Sequence, residues 1–257
     1  MPSACATTVL PLPWPDWAAP WWQPWADAGH RALHAVGAGL SVHEALNTGS
    51  TAPVRFVPPQ ALPEGSAYES YIFQSGCVPT REGWHDFLNA LVWQRLPAAK
   101  QRMNALQAAD IARNGVQARR GPVRDAITVL DENGALLHAP DALWQALAAR
   151  RWADLFGPLR PLWRQSALLV LGHAALEKLL APYKSITVHV WRAALPFDPA
   201  GDLHALDAWL ATDLTPEKLA AKPFKPLPVL GVPGWWPANE APGFYSDAQV
   251  FRPLRAG

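Results

Sequence analysis

The chain has 257 residues, of which half are hydrophobic and 17% are charged, against about a quarter charged in an average globular protein. Such a composition can bury a sizeable core, which excludes wholesale disorder, and the length suits one large domain or two small ones. Lysine and arginine total 22 and aspartate and glutamate total 21, so the net charge is +1. Because proteins that bind nucleic acid or anionic membranes carry a basic surface, we expect neither partner.

The sequence predicts a cytoplasmic protein with reduced thiols and no membrane span. Its two cysteines, Cys5 and Cys77, do not make a disulfide framework or a CxxC zinc pair. The first basic residue is Arg31, so the start of the chain lacks the charged region of a secretory signal. The longest aliphatic run, residues 167–176, is too short to cross a bilayer and contains His173. The oligomeric state stays open.

The first 25 residues are unusually rich in tryptophan and proline. Five of the 14 tryptophans fall here among six prolines, and proline lacks the backbone donor that a regular helix needs. We expect residues 1–25 to form an extended arm on a single globular domain, residues 26–257, whose end at about 226–257 is again rich in proline and aromatics. Because tryptophans contribute strongly to packing, anchoring in apolar grooves is favoured over an aromatic platform for ligands or partners.

Hydrophobic periodicity and turn residues predict the regular elements in chain order. The expected helices are 26–48, 81–96, 97–114, 141–149, 161–181, 202–211 and one that starts at Pro216. The expected strands are 126–130, 135–138 and 185–191, the first two joined as a hairpin at Asn133-Gly134 with Asp131 and Glu132 as turn residues. We therefore predict an α+β fold, a mostly helical single domain around a small β-hairpin-containing sheet, with Trp/Pro-rich N- and C-terminal wrapping arms.

A strip of polar residues is expected near the start of the helix over 81–96. At about 100° per residue, His85, Asp86 and Asn89 share one side of this helix, and apolar residues take the other. A carboxylate or amide beside an imidazole can fix its tautomer, raise its basicity or share a metal ion. We predict His85, Asp86 and Asn89 as catalytic residues. The alternative is an exposed polar face in which Asp86 favours the helix N-terminus.

His173 and Glu177 lie four residues apart in the apolar helix expected over 161–181. They therefore stack on one face, and the apolar surroundings predict burial. A buried ionised glutamate needs a compensating partner, which a protonated His173, an arginine or a metal ion would supply. We predict His173 and Glu177, with His85, as ligands of a divalent metal. The alternative is that His173 and Glu177 form a structural buried pair.

Cys77 is a candidate nucleophile. It lies just before the predicted helix over 81–96 and near Arg81 in sequence, and both features stabilise a thiolate. With His85, His173 or His189 it would form a catalytic Cys–His pair. The alternative is a small hydrophobic residue of the core.

Residues 119–124 carry three arginines, a density that suits binding of a phosphate or carboxylate group. We predict that Arg81, Arg120 and Arg124 bind an anionic group of the substrate. The alternative is a set of local salt bridges to neighbouring aspartates, which contribute little when they are exposed.

The sequence lacks the familiar cofactor motifs. It contains no glycine-rich phosphate loop, no G-x-S-x-G elbow, no EF-hand loop and no zinc-finger spacing. Use of ATP, flavin or NAD therefore has no support.

Five segments resemble the bacterial domain-of-unknown-function family 3025. They are residues 76–97, 102–111, 120–137, 172–190 and 231–253, and they include the blocks RDAITVLDENGALL and GWWPANE. The resemblance implies a bacterial protein but no particular activity, cofactor or catalytic residue. The segments also contain the polar residues chosen above on chemical grounds.

Taken together, these features predict an intracellular bacterial enzyme, a metal-assisted or acid–base hydrolase of a small-molecule substrate with an anionic group. The alternative is a non-catalytic module that binds a protein or ligand through an aromatic surface, formed by the N-terminal arm or by the GWWPANE segment.

Overall fold

Helices make up most of the regular structure. A computed structural model describes residues 10–115 and 121–254 of the chain. The α-helices in this part are α1 (Ala26–Gly37), α2 (Val42–Asn47), α3 (Tyr68–Ser75), α4 (Trp84–Arg95), α5 (Pro97–Asn114), α6 (Pro122–Asn133), α7 (Asp141–Ala148), α8 (Trp152–Phe156), α9 (His173–Lys178), α10 (His204–Asp213) and α11 (Pro216–Ala220). The strands are β1 (Arg55–Val57), β2 (Cys77–Pro79), β3 (Gly134–His138), β4 (Ala167–Val170), β5 (Thr187–Arg192) and β6 (Lys225–Pro228). The predicted mostly helical α+β fold is confirmed.

The chain divides into two structural units that are not contiguous in sequence. The described parts of the first unit are residues 10–15, 25–115, 121–127 and 207–220. The described parts of the second unit are residues 16–24, 128–206 and 221–254. Each unit therefore takes residues from early and late in the chain.

Helix α4 forms the buried centre of the first unit. Its residues from Phe87 to Trp93 are all buried, and it packs against α2 and α5. The start of α5 is capped from a distant part of the chain, because the Asp207 carboxylate accepts hydrogen bonds from the amides of Ala98 and Ala99, both at 2.8 Å. These amides are among the donors that a helix leaves unpaired at its N-terminus, so Asp207 stabilises the start of α5.

The second unit is built on a four-stranded sheet with the strand order β4-β3-β5-β6. Strand β3 is antiparallel to β4 and parallel to β5, and β5 is antiparallel to β6. Residues 134–137 of β3 are buried in succession, as expected of a central strand that is covered on both faces. The side chains of β5 alternate between buried and partly exposed over most of its length, as the sequence predicted.

The predicted hairpin is wrong, because its first strand is helical. Residues 126–130 form part of α6, which begins at Pro122, a residue well suited to the first helical position. The β-branched residues in this segment favour a strand locally. Burial at helical spacing, with Ile127 and Leu130 both fully buried, overrides that preference. Gly134 follows the helix directly and begins β3.

The long apolar helix expected over residues 161–181 is also wrong. This segment contains a 3-10 helix (Arg160–Gln165), strand β4 and the six-residue helix α9. A short apolar run such as residues 167–170 fits a buried strand as well as a buried helix, and here it pairs with β3. None of the helices in the part of the chain that the structure describes is long and apolar enough to cross a membrane.

The N-terminal tryptophans that the structure describes are mostly packed. Trp21, Trp22 and Trp25 are at most 6% exposed. Trp14 is 45% exposed, with its ring edge-on to Trp84 at a centroid distance of 6.2 Å. Packing is therefore the main role of these side chains.

Two glycines bring the start of α9 against the end of α6. The Gly134 carbonyl oxygen accepts hydrogen bonds from the amides of Leu171 and Gly172, at 3.0 and 2.9 Å. A Cβ atom on Gly172 would lie 2.4 Å from the Gly134 nitrogen and 2.5 Å from the Asn133 nitrogen. Only a hydrogen atom fits in this space, so residue 172 must be glycine, and His173 follows it directly.

Gly172→Ala is expected to lower the free energy of unfolding by more than about 2 kcal/mol, because the new methyl group meets backbone atoms. Gly37→Ala is the matched control, since no atom lies within 4 Å of a Cβ atom placed at Gly37, the last residue of α1. Urea unfolding followed by circular dichroism measures both variants. Equal stability of the two variants would contradict the close approach at Gly172.

Candidate functional site

Asp86, in the first turn of α4, is held by Arg81. The Arg81 backbone amide donates to Asp86 Oδ2 at 2.6 Å, and the guanidinium Nε and Nη2 donate to the two carboxylate oxygens at 3.0 and 2.9 Å. Burial raises the pKa of the Asp86 carboxyl, but the hydrogen bonds and positive charge of Arg81 outweigh burial, so the pKa is lowered overall. Asp86, which was predicted to be catalytic, and Arg81, which was predicted to bind an anion, therefore neutralise each other's charge.

Asn89 contacts a buried lysine that the sequence analysis missed. Lys100 Nζ donates to Asn89 Oδ1 at 2.8 Å and lies 5.3 Å from the centroid of the Trp93 ring. Lys100 is 4% exposed, and a charged group at such a position needs polar partners. The sequence did contain a signal for this contact. Lys100, Asn104 and Gln107 are spaced so that they share one face of α5, and all three are buried.

His85 and Cys77 are both half-buried in the first unit, on different elements. His85 lies in the first turn of α4, and Cys77 is the first residue of β2. Cys77 is a free thiol whose Sγ donates to the Ser75 carbonyl oxygen at 3.6 Å, while its amide donates to Ser75 Oγ at 3.1 Å. The catalytic roles of His85 and Cys77 remain predictions.

Arg124 lies on α6 next to a carboxylate. Its Nε atom is 3.8 Å from Asp110 Oδ2, and both side chains are largely buried. Arg120 lies outside the residues that the structure describes. Because Arg81 and Arg124 each have a carboxylate partner, the contacts of these two arginines match the alternative of local salt bridges, and their binding to a substrate anion remains a prediction.

His173 lies between two carboxylates in the second unit. It is the first residue of α9 and is 4% exposed. Its Nε2 atom lies 3.6 Å from Glu132 Oε2, and its Nδ1 atom lies 3.9 Å from Asp131 Oδ2. Both carboxylates come from the last turn of α6, which the Gly172 contact holds against the start of α9. This cluster of His173, Asp131 and Glu132 is called the His173 cluster below.

Glu177 is not the fully buried carboxylate that the sequence analysis expected. It is half-buried, because α9 has only six residues and is not part of a long apolar helix. The sequence analysis missed Asp131 and Glu132 because it placed them in a turn. Pro122 is the residue that could have revealed their position, because proline suits the start of a helix. A helix that starts at Pro122 and ends before Gly134 has both acids in its last turn.

The two carboxylates of the His173 cluster lie where a helix tolerates negative charge least. The C-terminal end of a helix carries a partial negative charge, and the last turn of α6 contains no basic residue. Lys178 brings a positive charge to this region, since its Nζ donates to Asn133 Oδ1 at 2.9 Å. The pKa of nearby His189 is lowered, mainly by burial and also by the charge of Lys178. Asp131 and Glu132 therefore lie where a nearby cation is favourable.

The spacing within the His173 cluster suits a metal ion. Two ligands at about 2.1 Å from a tetrahedral Zn²⁺ ion lie about 3.4 Å apart. The His173 Nε2 and Glu132 Oε2 atoms are 3.6 Å apart. Asp131 faces the other ring nitrogen, which is where a carboxylate commonly orients a metal-bound histidine. The same three groups could also transfer protons, because an imidazole beside carboxylates can act as an acid or a base.

Comparison with known proteins identifies a family for most of the chain. The model of the family described as "Protein of unknown function (DUF3025)" matches residues 54–255. The chain belongs to this family. The resemblance seen in the sequence is thereby confirmed. Neither the curated proteins nor the solved structures give a match.

The DUF3025 match covers all the candidate side chains. His85, Asp131, Glu132 and His173 lie within residues 54–255, whereas the N-terminal tryptophans lie outside. Membership of DUF3025 assigns no chemical role to these residues. The function must therefore be argued from the geometry and charge of the site.

In this DUF3025 protein, Asp86→Asn is expected to lower the free energy of unfolding by about 1–2 kcal/mol at pH 7, because the hydrogen bonds to Arg81 are weakened. The folded-state pKa of Asp86 lies below its ordinary value of about 3.9. Its ionised form therefore stabilises the fold above that ordinary value, and this contribution is lost as the pH falls through the folded-state pKa.

Urea unfolding of the wild type and of Asp86→Asn at pH 7 and below pH 4 measures this dependence. The difference between the two proteins should shrink at low pH. Asp154→Asn is the control, since Asp154 is half-exposed in an ion pair with Arg151 and its replacement should change stability by less than about 0.5 kcal/mol. A difference for Asp86→Asn that does not depend on pH would contradict the assignment.

Proposed function

We propose that this DUF3025 protein is a cytoplasmic bacterial hydrolase that uses a divalent metal ion and acts on small molecules with an anionic group. The observation that carries the proposal is the buried His173 ring between the carboxylates of Asp131 and Glu132. Packing alone would favour an aliphatic side chain at this position, because buried polar and charged groups cost free energy. A bound cation would interact favourably with both carboxylates.

His173 Nε2 and a Glu132 oxygen are the proposed ligands from the second unit. Asp131 would keep the proton of the His173 ring on Nδ1, which leaves Nε2 able to bind the ion. Hydrolytic zinc sites usually have three protein ligands and one open position. We propose Glu177, which lies on α9 in the same unit, as the third ligand, in line with the sequence analysis.

A divalent ion held there would lower the pKa of a coordinated water to about 7 and would polarise an oxygen of the substrate. In this chain, a carboxylate of the His173 cluster would accept the proton that the attacking water loses. The buried surroundings of His173 strengthen these electrostatic interactions, because less bulk water screens them.

Metal binding to the purified, metal-free protein tests the proposal directly. Calorimetric titration with Zn²⁺ or Mn²⁺ is expected to give one bound ion per chain. His173→Ala and Glu132→Gln should abolish this binding, whereas Asp131→Asn should weaken it by about 10–100-fold. His204→Ala and Glu217→Gln are the matched controls and should bind as the wild type does, since both residues are exposed in the first half of α10 and α11.

Activity and stability measurements complete this test. Hydrolysis of 4-nitrophenyl phosphate or 4-nitrophenyl acetate should depend on the added ion, and His173→Ala and Glu132→Gln should both lose the activity. A wild-type protein that binds neither ion, together with a His173→Ala variant of unchanged melting temperature, would overturn the metal centre. If the wild type binds neither ion and His173→Ala lowers the melting temperature, the His173 cluster is instead a structural group of the core.

A further inference from the structure

The second unit contains a cavity of about 660 Å³ that the proposed metal centre does not use. Residues 157–168 and 232–240 supply its lining. Ser166 and Leu168, at the start of β4, belong to this lining, whereas His173 follows the end of β4. At a rise of about 3.3 Å per residue, the cavity and the His173 cluster lie at opposite ends of the strand. The cavity is therefore a separate site, of a size that suits a small molecule.

We propose that this cavity binds a small aromatic anion. Two arginines, Arg160 and Arg164, and two tryptophans, Trp163 and Trp235, line it together. The set is called the arginine–tryptophan cavity below. Guanidinium groups bind carboxylate, phosphate and sulfonate oxygens, and tryptophan rings pack against flat apolar groups, so a ligand that combines both chemistries uses the whole lining.

Arg160 is held in position by side chains of the C-terminal segment. Its guanidinium is ion-paired with Glu240, and its Nη1 donates to the Tyr245 hydroxyl at 3.1 Å. The Tyr245 hydroxyl in turn donates to the Gly231 carbonyl oxygen at 2.9 Å. The pKa of Tyr245 is raised, mainly by burial, so this hydroxyl keeps its proton and can act as donor. These contacts fix the orientation of Arg160 before any ligand arrives.

Arg164 lies four residues further on the same 3-10 helix and is exposed. The structure records no hydrogen bond or ion pair for Arg164 within residues 10–115 and 121–254. The charged residues of the lining are Arg160, Arg164 and Glu240, two positive and one negative, which leaves a net charge of +1. Because Glu240 is already paired with Arg160, the charge of Arg164 is available to an anion.

The two tryptophans that line the cavity pack against other aromatic rings of the second unit. The Trp163 ring stacks on Phe156, with centroids 6.0 Å apart and an angle of 5° between planes, and its Nε1 donates to the Leu155 carbonyl oxygen at 3.2 Å. Trp235 packs against Trp21 at 6.1 Å. Because the side chains of Trp163 and Trp235 are already held in place, binding a flat ligand costs less conformational entropy.

The test uses two fluorescent dyes that share the same rings. 1-Anilinonaphthalene-8-sulfonate is an aromatic anion, and N-phenyl-1-naphthylamine lacks the sulfonate group. The wild-type protein is expected to bind the anionic dye at one saturable site. Arg164→Gln should weaken that binding by about tenfold or more and leave the binding of the uncharged dye unchanged, since the variant loses one charge-assisted contact. Arg164→Glu should weaken it further.

Arg151→Gln is the matched control, because Arg151 is an exposed arginine of the second unit outside the lining. This variant should bind both dyes as the wild type does, and thermal unfolding shows whether each variant is folded. His173→Ala should also bind both dyes normally, which separates this proposal from the metal centre. The proposal is overturned if the wild type does not bind the anionic dye, or if Arg164→Gln binds it with wild-type affinity.

Discussion

The close approach of two backbone segments at Gly134 and Gly172 is the constraint on which the candidate site depends. Strand pairing between β3 and β4 brings these glycines together, and the hydrogen bonds to the Gly134 carbonyl oxygen hold them there. Helix α6 ends immediately before Gly134, and α9 begins immediately after Gly172. The two helix ends must therefore face each other, and the side chains that they carry form the His173 cluster.

The charge balance separates this cluster from the other polar groups of the chain. Arg81 with Asp86 and Arg124 with Asp110 each combine one positive and one negative side chain, so they serve the fold without an added ion. The His173 cluster instead has two carboxylates at the negative end of α6. Lys178 offsets part of that charge through the same helix end. The two carboxylates beside an imidazole at this helix end make the cluster a candidate site for a cation.

The sequence predicts an element well when the residues at its two ends favour a start and a stop there. Helix α5 was predicted with its observed bounds, because Pro97 suits a first helical position and Gly115 a C-terminal one. Segment 161–181 was mispredicted because residues 167–170 pair with the distant strand β3. Segment 126–130 was mispredicted because burial at helical spacing in the folded protein outweighs its β-branched residues. Contacts between distant parts of the chain also explain why the sequence predicted only part of the candidate site. His173 was identified from its apolar neighbours, but its acidic partners lie about 40 residues earlier in the chain, and only the folded sheet brings them close.

The cap that Asp207 places on α5 links the order of synthesis to the completion of the fold. Its carboxylate accepts hydrogen bonds from the amides of Ala98 and Ala99, which lie 109 and 108 residues earlier in the chain. As the polypeptide leaves the ribosome, α5 emerges first, and strands β3, β4 and β5 are all made before Asp207 appears. The amides of Ala98 and Ala99 therefore lack this acceptor until residue 207 has been synthesised. A chain that stops earlier would expose those amides to water and that helix to proteases.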